Sequence, residues 1–369
     1  MKGKIKYVKF EILESFMTEV FVKAGVPDED AKICSEVLIE ADKRGIDSHG
    51  IGRFKNIYLD RMKEGVVNPI TKIDLIKEGP TTAVLDGNNG MGQVISKKAM
   101  DISIEKAKKY GLGMVAVRNS NHYGIAGYYV LRAINNNMIG ITGTNARPSI
   151  APTFGVENLL GTNPLTIGIP TNEEFPFVID CATSVSQRGK IEVYARSKKE
   201  LPEGWVIDQS GASRTDSVKI LDDLIKGTCA LTPLGGIGET TAGYKGYGYA
   251  TVVEILSSAL QDGAFLKGLL GFENGKKVPY KLGHFFIAIN INSFIEIEKF
   301  KNISGMILQT LRSSKKMPGE NKIYTAGEKE YEAWLERKDK GIPINDSLLE
   351  EIQTLIKEYN INDNYFKNI

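Results

Sequence analysis

A chain of 369 residues, 42% hydrophobic and 25% charged, has material for two or three domains or one large elaborated α/β unit, and its composition is that of an ordinary globular enzyme. A net charge of +2 gives no push toward nucleic acid or a membrane surface, and no apolar run reaches the length, about 18 residues, that a membrane-crossing helix needs. Three cysteines (Cys34, Cys181, Cys229), odd in number and far apart with no CxxC or CxxH pair, argue against a zinc ribbon or a disulfide framework and for a reducing cytoplasm. The basic opening, Met1 to Phe10, lacks the apolar stretch of a secretory signal.

The first predicted elements are helices. Phe10 to Ala24 carries apolar residues at helical spacing and stops at Gly25; Pro27-Asp28 opens a second helix, acidic in its first turn, that runs to about Arg44 and ends at Gly45. The polar turn Asp47-Ser48-His49-Gly50 precedes a third predicted helix, Ile51 to Lys63, whose early turn carries Arg53 to the same side as His49. A short strand at Ala83–Leu85 and an amphipathic helix from Gln93 to Tyr110 follow. The buried strand Met114–Val117 then ends in the polar stretch Asn119-Ser120-Asn121-His122-Tyr123-Gly124-Ile125-Ala126-Gly127-Tyr128-Tyr129. His122 is one of three histidines, a natural proton carrier near neutral pH, and Gly124 and Gly127 allow close approach of backbone or ligand; a histidine and tyrosines capping a core strand is the plainer alternative. A helix over Gly127–Asn137 and strands at Ile139–Thr144, Leu165–Ile169 and Phe177–Ile179 complete an alternating α/β pattern, with polar residues at strand ends as in ligand crevices. Beyond them, Gly189–Lys199 reads as a helix, Leu201–Thr215 as a polar excursion, and the glycine-dense Gly235–Gly248, with Lys245, leads into a helix at Tyr249–Gln261. A strand at His284–Ile291, a helix at Glu296–Ser313, a turn at Pro318-Gly319-Glu320, and two last helices, Glu328–Lys338 and Asp346–Tyr359, separated by Pro343, finish the chain.

No G-x-G-x-x-G and no Walker A run is present, so a nucleotide would not be held by a Rossmann turn. No histidine pair has metal-ligand spacing, although three separate histidines can converge in space and leave a metal-dependent hydrolase or lyase as an alternative. No G-x-S-x-G occurs, and Ser48 beside His49 is adjacency rather than a triad. What remains is proton transfer beside an anion clamp. His49 or His122 can carry the proton, Arg53 can grip a carboxylate bidentately, Asp180 can orient a histidine, and Lys245 among glycines can meet a phosphate. Each also has a plainer reading: a surface ion pair for Arg53, a strand-end cap for Asp180, a solvated cation for Lys245. The set suits hydride transfer between a 2-hydroxy acid and a nicotinamide.

The ordered motifs DSHGIGR, NSNHYGIAGYY, GTNP with IPT, VIDCATS, GYKGYG, GHFFIAI and a late PGE resemble the type-2 malate/L-lactate dehydrogenase family over nearly the whole chain. The resemblance implies a non-Rossmann, NAD- or NADP-dependent oxidoreductase with a three-layer α/β core around a mixed sheet and a helical region built from both chain ends. That divides the chain at 1–75, 76–313 and 314–369. It also implies a cytoplasmic homodimer, with no nucleic-acid, membrane or metal partner. Carried over by position, His49 and His122 are the alternative proton donors, with Ser48 and Asp180 in the catalytic set. Arg53 is the substrate clamp and Arg147 a second substrate contact. Asn121, Asp180, Cys181, Ala182, Thr183, Ser184, Lys245, Pro318, Gly319 and Glu320 are cofactor contacts. The substrate implied is a small 2-hydroxy/2-oxo acid, malate/oxaloacetate first, with L-lactate, L-sulfolactate, ureidoglycolate or a cyclic imino acid as alternatives. A fold kept for ligand binding without catalysis is the remaining alternative.

Overall fold

The computed structural model describes residues 5–366. A short strand β1 (Lys6–Val8) leads into α1 (Phe10–Lys23) and α2 (Asp28–Lys43), close to the predicted bounds, with Asp28, Glu29 and Asp30 at the dipole-positive end of α2. The third predicted helix is different. It is a 3₁₀ turn at Ile51–Arg53, a wide π-helical turn at Phe54–Leu59, and a single α-helical turn, α3 (Asp60–Lys63). The Ile51 N–H, one of the helix-start groups with no partner in its own turn, donates to the Asp42 carboxylate at 2.7 Å. Ile51, Phe54, Tyr58 and Leu59 all turn inward.

The central region contains β2 (Asp74–Glu78), β3 (Thr82–Asp86), α4 (Gly92–Tyr110), β4 (Leu112–Ser120), α5 (Gly127–Ile134), β5 (Met138–Thr144), β6 (Leu165–Ile169) and β7 (Phe177–Cys181). Next come α6 (Arg188–Arg196), β8 (Val206–Asp208), α7 (Ser217–Lys226) and β9 (Cys229–Leu231), so the predicted polar excursion is a small folded unit. Its core joins Ile150, Leu160, Ile191, Val206, Ile220 and Leu231. After it run α8 (Gly243–Leu256), the ribbon β10 (Phe272–Glu273) and β11 (Lys276–Lys277), β12 (Leu282–Asn290), α9 (Ile297–Ser313), α10 (Glu328–Lys340), β13 (Ile342–Ile344) and α11 (Asp346–Glu358). Helix α8 starts six residues before the predicted Tyr249, through a glycine run that propensity assigns to a loop. Tertiary packing overrides propensity there: a Cβ on Gly243 would lie 1.9 Å from Gly236 O and one on Gly246 2.2 Å from Leu234 O, so the helix seats directly on backbone.

The main sheet has the order β2-β3-β4-β12-β5-β6-β7 and is mixed, with β3–β4 parallel and its other pairs antiparallel. One face is covered by α4 and α5, whose Ile95, Met100, Ile104, Tyr129 and Ala133 pack with Leu85, Val115, Val117 and Phe286. Helix α8 and the turn after it cover the other face, where Gln261 donates to Val117 O at 3.1 Å and Ser257 lies against Gly283. That is the expected three-layer arrangement. Both chain ends share a separate core: Val8, Leu13, Phe16, Phe21, Leu38, Phe54 and Leu59 pack with Ile342, Ile344, Ile352 and Leu355. β1 pairs with β13, Tyr7 opposite Pro343, so the proline taken as a separator lies inside a strand of a two-stranded ribbon. No helix of the described residues is long and apolar enough to cross a membrane.

Candidate functional site

The D-S-H-G turn is held by groups far from it in sequence. Asp42, 1% exposed, sits at the end of α2 and accepts from Ile51 N, while its carboxylate fills the space where a side chain on Gly50 would stand, 1.9 Å from the Cβ position. Burial pushes the Asp42 carboxyl up to about 8. From α10, Arg337 grips both carboxylate oxygens of Asp47, one of them at 3.0 Å, and also donates to Asp42 O. The turn is therefore fixed before any ligand arrives. Ser48 Oγ lies 2.9 Å from His49 Nδ1, and Arg53 Nε donates to Ser48 O at 2.7 Å. Among the described residues Arg53 has no carboxylate within 4.0 Å, so the surface ion-pair alternative does not describe it.

The N-H-Y-G segment meets this turn. His122 leaves the end of β4 and its ring stacks on His49, centroids 5.7 Å apart and planes 16° from parallel. His122 Nδ1 lies 2.6 Å from Tyr58 Oη and accepts from Gly124 N at 3.3 Å. Burial and then Arg53 lower the His49 pKa to about 4; burial, then His49, Arg61 and Arg53 hold His122 well below the usual range. Both rings are neutral at pH 7. The third histidine, His284 on β12, is fully buried, bonds Thr144 Oγ1 through Nδ1 at 2.7 Å and stacks on Tyr123 at 4.7 Å. Thr144 thus takes its Nδ1 and Tyr123 one ring face, and no group of three or more His, Cys, Asp or Glu side chains poised for a metal occurs among the described residues. The glycines of this stretch serve packing within the chain: Gly124 has φ +79° with Val37 Cγ1 2.4 Å from its Cβ position, and Gly127 backs onto Asp180.

Asp180, at the end of β7, faces the same cleft but does not orient a histidine. Its carboxylate accepts from Gly127 N at 2.7 Å, at the positive end of α5, and from Thr166 Oγ1 at 2.8 Å. The cleft has a volume of about 260 Å³ and is lined by Ser48, His49, Thr162, Asp180, Ala182 and Gln187 among others. It shares Ile46, Ile125, Asp180 and Glu330 with a longer groove walled by Phe175, Tyr331 and Trp334, in which the rings of Phe175 and Tyr331 stack at 5.4 Å. A flat heteroaromatic group fits such a wall, and a two-part groove suits a dinucleotide.

The other expected contacts are spread out. Asn121 uses its amide to hold Asn89 O and Gly90 O at 2.9 and 3.0 Å. Thr183 and Ser184 are buried and bond backbone carbonyls, and Cys181 Sγ faces Leu165 O. Lys245 is exposed on α8, which rests on Leu234, itself bonded to Thr183 O; Pro318, Gly319 and Glu320 form an exposed turn, and neither stretch lines the His49 cleft. Arg147 is exposed and near enough to Arg61 to disfavour its charge. Sequence reasoning missed Tyr58, Asp42, Arg337 and Gln187. Only Gln187, just past VIDCATS, had a motif beside it.

A family model described as malate/L-lactate dehydrogenase matches residues 8–353. A malate dehydrogenase of Pyrococcus abyssi is 44% identical over 95% of this chain and 94% of its own. An L-sulfolactate dehydrogenase of Methanocaldococcus jannaschii is 40% identical over 96% and 98%. The crystal structure of a malate dehydrogenase from Entamoeba histolytica superposes with a TM-score of 0.94 at 46% identity, covering 97% of this chain and 99% of that one. A match spanning most of the chain, on a fold that stacks the D-S-H-G and N-H-Y-G histidines on each other, assigns this chain to the malate/L-lactate dehydrogenase family.

Proposed function

We propose that this protein transfers a hydride between a nicotinamide cofactor, NAD or NADP, and a small 2-hydroxy/2-oxo acid, with malate and oxaloacetate as the first substrate pair. The observation that carries the reading is a pair of stacked neutral histidines, His49 of which lines the cleft, joined through the Ser48 turn to an arginine without a carboxylate partner that lines the neighbouring cavity. Names of the relatives support a carboxylate-bearing hydroxy acid, and the L-sulfolactate dehydrogenase among them keeps a sulfonated substrate as the second choice.

Bound nicotinamide would supply or accept the hydride at the substrate's C2. The chain's own residues do the rest. Arg53, anchored by Nε to the turn, keeps its two terminal nitrogens for the carboxylate, and Arg147 is read as a second anion contact. The histidine pair holds and moves the proton of the C2 oxygen, with Ser48 steadying His49. Asp180 fixes the N-terminus of α5 at the cofactor side of the cleft, and the 181–184 segment, Asn121, Lys245 and 318–320 are read as its further contacts. The groove past Asp180 is the proposed seat of the remaining part of the dinucleotide. We also read the protein as a cytoplasmic homodimer; the outward side chains Tyr244, Tyr249, Val252 and Ile255 of α8 are the apolar surface that supports association.

Oxaloacetate with NADH or NADPH tests the reading directly, as loss of absorbance of the reduced nicotinamide. If no 2-oxo acid or cyclic imine consumes either cofactor, the proposal is wrong.

A further inference from the structure

Two donors converge on one nitrogen of His122. Tyr58 Oη lies 2.6 Å from Nδ1, and Gly124 N–H reaches the same atom at 3.3 Å. A backbone N–H can only donate, and this one bears on both Nδ1 and the Tyr58 hydroxyl oxygen; a lone pair on Nδ1 accepts both donors, with the proton of the neutral ring on Nε2. The hydroxyl is rigidly placed. Tyr58 is 2% exposed, rises from the π-helical turn Phe54–Leu59, and packs edge-on against Phe21 at 6.2 Å and the His122 ring at 5.7 Å. The ionisable groups that bear on His122 are His49 stacked on it, Arg53 and Arg61 from the 51–63 segment, and His284 from β12. None of these is a carboxylate, and all disfavour an imidazolium. A hydroxyl, unlike a carboxylate, holds the ring without stabilising its charged form, and burial keeps the Tyr58 proton in place.

We propose that Tyr58 is a positioning residue that locks His122 as the Nε2–H tautomer, so that His122 offers a hydrogen-bond donor, not a proton acceptor, to the C2 oxygen of the substrate. This rests on the dehydrogenase reading above. It leaves proton transfer to His49, whose Nδ1 partner is the rotatable Ser48 hydroxyl and whose tautomer no fixed donor dictates. In oxidation of a 2-hydroxy acid the O–H proton passes to His49, the C2–H leaves with its electron pair to the oxidised nicotinamide, and the C–O bond becomes C=O. Reduction returns the same proton and hydride. His122 gains and loses nothing.

The test uses the full chain labelled with ¹⁵N-histidine, with the ring signals of His122 assigned by comparison with His49→Asn and His284→Asn. Between pH 6 and pH 8, spanning the usual histidine pKa of about 6.5, His122 is expected neutral and protonated on Nε2. Tyr58→Phe should mix the two tautomers and lower kcat about ten-fold or more while KM for oxaloacetate stays within about two-fold, a split that simple loss of packing would not give. A wild-type His122 protonated on Nδ1 overturns the proposal, and so does a Tyr58→Phe enzyme with unchanged tautomer and kcat. If Tyr58→Phe does not fold, the wild-type tautomer still decides. A wild-type protein that carries the Nε2–H tautomer but turns over no 2-oxo acid sinks the dehydrogenase reading and, with it, the role given to the tautomer.

Discussion

Arg53 owes its place to a single bond. Its Nε is tied to Ser48 O, one residue before His49, so the guanidinium and the imidazole move as one piece with the turn. A lysine there keeps the charge and loses both the anchor and the two-point grip. Arg53→Lys is therefore expected to raise KM for the oxo acid by about ten- to a hundred-fold while changing KM for the cofactor by less than about two-fold; steady-state kinetics with each substrate varied separately checks this, and equal losses in both would remove Arg53 from the clamp. The histidines give an acid-side signature. His284 is neutral in the fold with a pKa pushed down by burial to about 3, whereas an unfolded chain holds it near 6.5. Between those values the unfolded state binds more protons, so the stability this group leaves intact above pH 6.5 is lost as pH falls toward 3. His284→Gln should flatten the fall of the thermal midpoint on acidification from pH 6.5, relative to the wild type, in thermal scans. An unchanged slope would mean that the ring is charged in the fold.

At the scale of elements, the turn that carries His49 depends on the end of α2. The buried Asp42 carboxyl, raised to about 8 from an unfolded value near 3.9, has the opposite sign to the histidines: its contribution is fully present in acid and lost as pH climbs through 8. Asp42→Asn keeps an oxygen for Ile51 N–H and has no charge to bury. Its thermal midpoint, measured against the wild type, should improve from pH 5 to about pH 8 and then level off, and a constant difference would contradict a buried acid. Gly124 shows a stricter demand. With φ at +79° and Val37 Cγ1 2.4 Å from its Cβ position, Gly124→Ala is expected to cost about 1–3 kcal/mol and to disturb His122, whose Nδ1 its N–H supports; chemical denaturation reads the first and kcat the second. These elements also mark what could be read in advance. The helix stops at Gly25, Gly45 and Gly111 and the motif histidines were legible because their chemistry is local. Helix α7 was legible as well and was overlooked: Asp216 caps it at Lys219 N and Gly227 closes it, both in the sequence. Tyr58 and Asp42 were not legible, because a π-helical turn and a carboxylate filling the space beside a glycine exist only once distant segments have packed.

For the whole molecule, the same division holds between near and far. The alternation of strands and helices pointed to an α/β layer structure and local pattern to the strand at His284–Ile291, but not to the place of β12, which enters between β4 and β5 from more than a hundred residues further along and sets His284 opposite Val117 and Thr144. Nor did local pattern show that β1 would pair with β13. A chain ended after Lys340 loses Ile342, Ile344, Ile352, Leu355 and Ile356, all buried against α1 and α2. Burial of such side chains is worth roughly 1.5–3 kcal/mol each, comparable in sum to the margin of most domains. The truncated protein should lose its cooperative thermal transition and be cut rapidly within residues 8–67 by a protease; retention of a sharp transition would show that the N-terminal helices stand alone. The pairing of the two ends also has a consequence for synthesis. The turn bearing His49 leaves the ribosome 290 residues ahead of Arg337, which grips Asp47, and still further ahead of β13, which closes the ribbon with β1. In that interval the nascent α1–α2 pair has Phe54, Leu59 and Met91 against it but lacks Ile342, Ile344, Ile352 and Leu355, and the turn stays unclamped until Arg337 emerges.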